Sequence, residues 1–422
     1  MKFRVIAPQT LRPCTIELPP SKSIANRVLV LSALNGITPQ QVLHQPVDSL
    51  CDDIQVMVHL LQNVLSDAKT KAKETVLNVG AAGTAMRFAT AFLAVQDGCY
   101  TITGTERLQQ RPIGILVDAL RQLGAQIDYL GKEGYPPLRI IGNPAMKGGD
   151  ITLDGGISSQ FISALLMIAP TMQEGLTLHL QGQLVSTPYL YITTQLMRQF
   201  GVKLEWTDER TVSIQRGYNY QPTIGAPLIE SDWTAASYWY EIAAISGGEW
   251  PVSQVRTLRA DSLQGDRVCH EIFQQLNECQ RAHEPFHYDF EDCPDLVQTL
   301  VVTCCMNAVP FRFTGLRTLR IKETDRISAL QTELAKMGFT LEATDDMLAW
   351  DGHSSHPISL PLEGELEGAS ISTYHDHRMA MAFAPCALRL GEIIIEDPDV
   401  VRKSYPTYWD DLSKLGFTLC RI

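Results

Sequence analysis

The stretch PPSKSIANRVLVLSAL, residues 19–34, starts as chemistry and ends as packing. Lys22 and Arg27 are cations and Ser23 is a hydroxyl between them, while the run after Arg27 is Val, Leu and Ala but for Ser32. The same construction recurs. GAAGTAMR puts Gly83, Thr84 and Arg87 ahead of an apolar run, GISSQFISALL puts Ser158, Ser159 and Gln160 there, and YHDHRMAM puts Asp376, His377 and Arg378 there. Arg111 opens RPIG, Lys322 and Arg326 flank Glu323 in KETDR, and Lys403 precedes SYPTYW. A helix N-terminus presents free N–H groups and the positive end of its dipole, so it favours anions. Any one of these starts is ordinary capping chemistry, since Ser, Thr and Asp are common N-caps. Cations repeated at equivalent starts point instead to small anions: Arg holds carboxylate or phosphate with a two-pronged fork, and Lys as a point charge.

The elements that must position these groups alternate in two kinds. Six helices open on small polar or charged residues near positions 21, 82, 157, 230, 293 and 374, and then run apolar nearly all round, which predicts burial. Each is followed by an amphipathic helix with apolar residues at i, i+3, i+4 and i+7, as in RPIGILVDALRQLGAQI and SYPTYWDDLSKLGFTL. Four of these end on a glycine, Gly124, Gly201, Gly338 and Gly416, the residue that best adopts the left-handed cap. Short strand-like runs such as LRIIG and FRFTGL lie between. The period is about 60–80 residues, the signature of an internal repeat. Six units of two helices and several strands account for the chain and group as two similar α/β domains of three units each.

The totals agree with that reading. The 422 residues carry 47 acidic and 35 basic side chains, a net charge of −12. That argues against a nucleic-acid partner, which needs a basic field. No uncharged apolar run reaches the length of about 20 residues that spans a bilayer, and the start, MKFRVIAPQT, reads as a strand rather than a signal peptide. The ten cysteines form no CxxC and no zinc spacing, the pattern of reduced thiols in a cytoplasmic protein with no metal. VGAAGTAMR is neither a P-loop nor a dinucleotide fingerprint; its small residues let backbone approach a ligand closely.

The ordered motifs PPSKSIANR, GAAGTAMR, RPIGILVDALRQLGA, GISSQFISALL, STPYLYIT, SDWTAASYW, PDLVQTL, IKETDRI, DHRMAM and RKSYPTYW resemble the 5-enolpyruvylshikimate-3-phosphate synthases over residues 19–408. The resemblance implies two domains, each of three βαβαββ units with buried helices: residues 1–18 plus 230–422, and 19–229, with crossings near 18–20 and 228–232, closing over the substrates. It implies transfer of the enolpyruvyl group of phosphoenolpyruvate to the 5-hydroxyl of shikimate 3-phosphate by addition and elimination, with no metal or cofactor. It assigns Lys22, Ser23, Arg27, Ser158, Ser159, Gln160, Ser186, Tyr189, Asp295 and Lys322 to shikimate 3-phosphate. Lys22, Gly83, Arg111, Gln160, Arg326, Arg378 and Lys403 fall to phosphoenolpyruvate. Lys22, Asp295 and Glu323 are the candidates for proton transfer, and which of them serves each step stays open. The resemblance also implies inhibition by glyphosate at the phosphoenolpyruvate site. A monomer is expected, because the helix faces have partners within the repeat. A UDP-N-acetylglucosamine enolpyruvyl transferase is the nearest alternative, but such enzymes typically carry a Cys in the loop that here reads TGTERLQQRP. A non-catalytic anion-binding relative would have lost Lys22, Asp295, Glu323 or Arg326, and all are present.

Overall fold

The computed structural model describes residues 1–43, 45–66, 74–156, 158–182, 184, 187–217, 229–247, 255–256, 258–353 and 369–422. The chain divides into two compact units, Met1–Pro19 with Glu230–Ile422, and Pro20–Ile229. Four four-stranded mixed sheets carry the architecture, two in each unit.

The sheets share one plan. In the unit Pro20–Ile229, Thr75–Asn78 runs parallel to Gly98–Thr103, which pairs antiparallel with Leu138–Gly142, which pairs in turn with Gln126–Tyr129. In chain order this is a strand sequence of first, second, fourth, third. Gly149–Asp154, Leu176–Gln181, Thr211–Ile214 and Leu204–Trp206 repeat it, and so do Phe286–Asp289, Phe311–Thr314, Met347–Trp350 and Glu342–Ala343 in the other unit. Each parallel pair brackets one buried helix, and the second connection, an amphipathic helix, leads to the closing antiparallel hairpin. The last sheet completes the plan with a strand from far away in sequence. Ser370–Ile371 runs parallel to Glu392–Glu396, and the N-terminal strand Lys2–Ile6 inserts between Glu392–Glu396 and Thr418–Arg421 as the fourth strand of the repeat. In Leu138–Gly142 and Glu392–Glu396 buried residues alternate with more exposed ones, as expected where only one face of a sheet meets the core. The remaining repeats are represented, among the described residues, by the helix pair Lys22–Leu34 and Asp52–Ser66 in one unit. In the other they are Trp233–Ser246 and Cys269–Ala282, with the short parallel ladder Ile16–Glu17 to Val255–Arg256.

The two helix kinds separate by burial as their patterns require. Every residue of Val297–Met306 and His377–Phe383 is buried, and every residue of Gly83–Ala94 except Thr84. Ser159–Ile168 leaves only Gln160 partly open. Gly114–Gln122 instead buries Leu116, Val117, Ala119 and Leu120, and Tyr408–Lys414 buries Tyr408, Trp409, Asp411 and Leu412, one face each. Gly124, Gly201, Gly338 and Gly416 all have positive φ, the left-handed geometry that ends a helix without a Cβ clash. No helix among the described residues is long and apolar enough to cross a membrane.

Candidate active site

In the unit Pro20–Ile229, three buried helix starts hold the polar groups. Arg27 is 2% exposed. Its Nε donates to Thr193 Oγ1 at 2.7 Å, Nη1 to the Ser23 carbonyl at 2.8 Å, and Nη2 to Ser163 Oγ at 3.2 Å and the Tyr189 carbonyl at 3.3 Å. It also lies 5.2 Å from the Phe88 ring centre. These hydrogen-bond acceptors are all neutral oxygens, and burial pushes the Arg27 pKa down to about 10, against a small opposing contribution from Tyr189. Lys22 Nζ lies 3.2 Å from Asp53 Oδ2, at the start of the helix Asp52–Ser66.

Gly83 shows why a glycine stands at the next helix start. A Cβ built there would lie 2.5 Å from Arg111 Nη1 and 2.7 Å from Arg87 Nη1, closer than any real contact. The two guanidiniums therefore lie directly over the backbone, with Arg87 Nη1 also donating to the Gly83 carbonyl at 2.9 Å. Arg87 stacks 5.5 Å from the Phe161 ring centre. Arg111 Nε is buried with no hydrogen-bond partner among the described residues. At the third start Ser158 Oγ caps the helix by accepting from the Gln160 amide at 3.4 Å, while Gln160 Nε2 donates to Thr84 Oγ1 at 3.1 Å. Ser159 is buried beside them, and Ser186 lies outside the described residues.

In the unit Met1–Pro19 with Glu230–Ile422, the cations converge on carboxylates. Asp295 Oδ1 accepts from Arg326 Nη1 at 2.8 Å and lies 3.6 Å from Lys322 Nζ; its Oδ2 accepts from Arg378 Nη2 at 2.7 Å. Glu323 accepts from Lys403 Nζ at 2.7 Å on one oxygen and from Arg326 Nη2 at 3.2 Å on the other. Arg326 Nε donates to Asp376 Oδ2 at 2.7 Å, and Asp376 Oδ1 caps the next helix through the Arg378 amide at 3.0 Å. Burial alone would lower Arg326, but Asp376, Glu323 and Asp295 outweigh it and hold the guanidinium above its ordinary pKa. Lys322 has fewer carboxylates to offset its burial, and its ammonium is pushed down. Behind this cluster, burial, with the Asp295 charge adding to it, pushes Asp266 up to about 7, against the Thr234 hydroxyl that donates to it and the nearby Arg378.

The sequence pattern of one family, EPSP synthase (3-phosphoshikimate 1-carboxyvinyltransferase), matches residues 8–412. The chain belongs to the EPSP synthase family. A 3-phosphoshikimate 1-carboxyvinyltransferase of Bacteroides fragilis strain ATCC 25285 is 47% identical, covering 99% of this chain and 98% of that protein. One of Yersinia pestis bv. Antiqua strain Angola is 37% identical over 95% of this chain and 96% of its own length. Among solved structures, an EPSP synthase from Acinetobacter baumannii superposes with a TM-score of 0.70 at 20% identity, covering 100% of both chains. The enolpyruvyl transferase NikO from Streptomyces tendae gives 0.66 at 13% identity, covering 99% of this chain and 98% of that one. At those identities the structures speak to the fold, which is the two-domain enolpyruvyl transferase architecture.

The geometry brings Asp295, Lys322, Glu323, Arg326, Arg378 and Lys403 into one connected cluster, and joins Arg27 with Ser23 and Tyr189, Gly83 with Arg111, and Gln160 with Thr84. Asp53, Ser163, Thr193, Asp266 and Asp376 complete these groups without having been singled out as ligands from sequence. Ser163 and Thr193 were findable in principle, being hydroxyls on the buried face of an apolar and of an amphipathic helix. Asp53 is the second of a DD pair opening an amphipathic helix, where helix-dipole chemistry is explanation enough.

Proposed function

We propose that this chain transfers the enolpyruvyl group of phosphoenolpyruvate to the 5-hydroxyl of shikimate 3-phosphate, releasing phosphate. The observation that carries the reading is the meeting of four cations, Lys322, Arg326, Arg378 and Lys403, around Asp295 and Glu323 in a chain of this family. Each substrate carries a phosphate with a second pKa near 6, plus a carboxylate, so each brings about three negative charges at neutral pH. Two such ions side by side repel by several kcal/mol in a partly dry site, and fixed cations remove that penalty.

In this reading Arg326, Arg378, Lys403, Arg111 and the bare backbone at Gly83 clamp phosphoenolpyruvate, with Lys22 and Gln160 reaching both substrates. Ser23, Arg27, Ser158, Ser159, Ser186, Tyr189, Asp295 and Lys322 hold shikimate 3-phosphate. The 5-hydroxyl oxygen adds to C2 of phosphoenolpyruvate and gives its proton to one of the proton-transfer groups, while C3 takes a proton; the C2–O bond then breaks with its electron pair leaving on phosphate, and C3 gives a proton back. Glu323, Lys22 and Asp295 are the proton-transfer groups. Glu323, held on both oxygens by cations, is the candidate at C3: it must be protonated to supply a proton during addition and ionised to take one back during elimination. Asp295 accepts from two arginines with Lys322 close by, which suits it to orienting the hydroxyls more than to strong base chemistry. The enzyme needs no cofactor and works as a cytoplasmic monomer, a setting consistent with ten cysteines that form no CxxC.

A phosphate-release assay with each substrate omitted in turn tests this. Release only when shikimate 3-phosphate and phosphoenolpyruvate are both present supports it. Release with UDP-N-acetylglucosamine in place of shikimate 3-phosphate, or none with any acceptor, overturns it.

A further inference from the structure

Arg378 and Asp376 follow a turn whose backbone is unusual. Tyr374 and His375 have φ of 54° and 56°, two consecutive left-handed residues, neither of them glycine. Such a conformation crowds a side chain against its own backbone and persists only where surrounding contacts impose it. Those contacts are present at nearly every residue of the segment. Ser370 and Ser372 hydroxyls donate to Glu396 at 3.0 and 2.7 Å. The Ser372 amide donates to Glu333 Oε2 at 3.1 Å, and the Tyr374 hydroxyl to Glu333 Oε1 at 2.6 Å. His375 Nδ1 lies 3.0 Å from Asp397 Oδ2, and the Asp376 amide donates to the Thr373 carbonyl at 2.8 Å. Glu333 is completely buried and takes no part in the chemistry described above.

One helix contacts this segment twice. Arg326 is the first residue of Arg326–Ala335 and binds Asp376; Glu333, seven residues on and about 10 Å along the axis, binds Ser372 and Tyr374. The helix that carries Arg326 thus grips both ends of the turn that aims Arg378. We propose that Glu333 and Tyr374 are positioning residues: acting through the left-handed turn, they fix Arg378 against Arg326 and Asp295 in the arrangement that receives phosphoenolpyruvate. The inference rests on the role given above to Arg378.

The test uses the full-length enzyme as wild type, Tyr374→Phe, Glu333→Leu and Glu333→Gln. The glutamine keeps one carbonyl oxygen to accept from the Ser372 amide and turns its NH2 toward the tyrosine hydroxyl, which can accept from it; the other two variants remove one side of the contact. The expected result is a KM for phosphoenolpyruvate raised about 10-fold or more in Tyr374→Phe and Glu333→Leu, with the KM for shikimate 3-phosphate changed less than about 2-fold, and near-complete recovery in Glu333→Gln. Amide hydrogen exchange gives a readout independent of turnover: Tyr374→Phe should speed exchange in His377–Phe383 and leave Val297–Met306 unchanged. Unchanged exchange in His377–Phe383, or equal rises in both KM values alongside a general loss of stability, overturns the positioning role. If wild-type enzyme shows no enolpyruvyl transfer while the local exchange effect is present, the functional reading fails and the positioning of Arg378 stands.

Discussion

Arg27→Met separates what Arg27 does for folding from what it does for binding. The guanidinium is buried, its hydrogen-bond acceptors are neutral, and its pKa falls from an ordinary 12.5 to about 10. At about 1.36 kcal/mol per pKa unit, that is about 3 kcal/mol against holding the charge there. Both values lie far above neutrality, so this penalty is constant across the physiological pH range. Removing the side chain orphans little. Ser163 Oγ and Thr193 Oγ1 are 2.8 Å apart and stay bonded to each other, and Thr193 Oγ1 also donates to the Tyr189 carbonyl at 2.8 Å. A methionine keeps the apolar stem and a favourable contact to Phe88. The variant without ligand should therefore be as stable as wild type to within about 1 kcal/mol, and up to about 3 kcal/mol more stable. Binding should move the other way. Loss of a charged hydrogen bond or ion pair to the substrate costs about 1.5–3 kcal/mol, which is roughly 10- to 100-fold in Kd for shikimate 3-phosphate. Urea unfolding without ligand and calorimetric titration with shikimate 3-phosphate read the two effects separately. A variant destabilised by more than about 2 kcal/mol that binds shikimate 3-phosphate like wild type would show that Arg27 serves folding and not binding.

Glu323→Ala and Lys22→Ala should each lower kcat by at least about 10²-fold, the scale of general acid–base catalysis; near-normal steady-state turnover in either removes that residue from the chemistry. Gly83→Ala places a methyl where Arg111 and Arg87 now lie, so it should raise the KM for phosphoenolpyruvate with a smaller effect on shikimate 3-phosphate, as initial-rate kinetics in both substrates would show. The wild-type enzyme should lose activity at millimolar glyphosate; full activity there contradicts the carried-over inhibitor site. Asp266 has a raised pKa in the folded state, so its contribution to stability is complete below about pH 4, the unfolded carboxylate range, and is lost as pH rises through about 7. Asp266→Asn should flatten that decline, measured by urea unfolding at about pH 5 and about pH 8; an unchanged slope would show that Asp266 does not titrate there.

The six buried helices were readable because nothing but burial suits a helix that is apolar all round, and the cations at their starts stood out against that background. The glycine caps were readable because only glycine adopts that geometry freely. Other features have no local signal. The N-terminal strand Lys2–Ile6 pairs with residues near the other end of the chain, and no pattern within KFRVI names its partners. DHR reads as a cation behind a capping acid, yet Asp376 also neutralises Arg326, fifty positions away. Tyr374 is not a residue that announces a left-handed turn, and His375 does so only weakly; Glu333, Asp397 and their neighbours hold it from other elements. The neutral surroundings of Arg27 likewise depend on Thr193 and Ser163 arriving from two other helices.

Addition followed by elimination leaves an isotopic trace that no simple phosphoryl transfer produces. Run in D2O, the reaction protonates C3 from solvent-exchanged groups and then removes one of three hydrogens, so the enolpyruvyl methylene of the product must carry deuterium. The bridging oxygen of phosphoenolpyruvate leaves with phosphate because the C2–O bond is the one that breaks. The decisive measurement is mass spectrometry of both products formed from bridge-18O phosphoenolpyruvate and shikimate 3-phosphate in D2O. Addition–elimination puts deuterium in the vinyl group and 18O in the released phosphate; a product vinyl free of deuterium, with 18O retained on the pyruvate fragment, would rule it out.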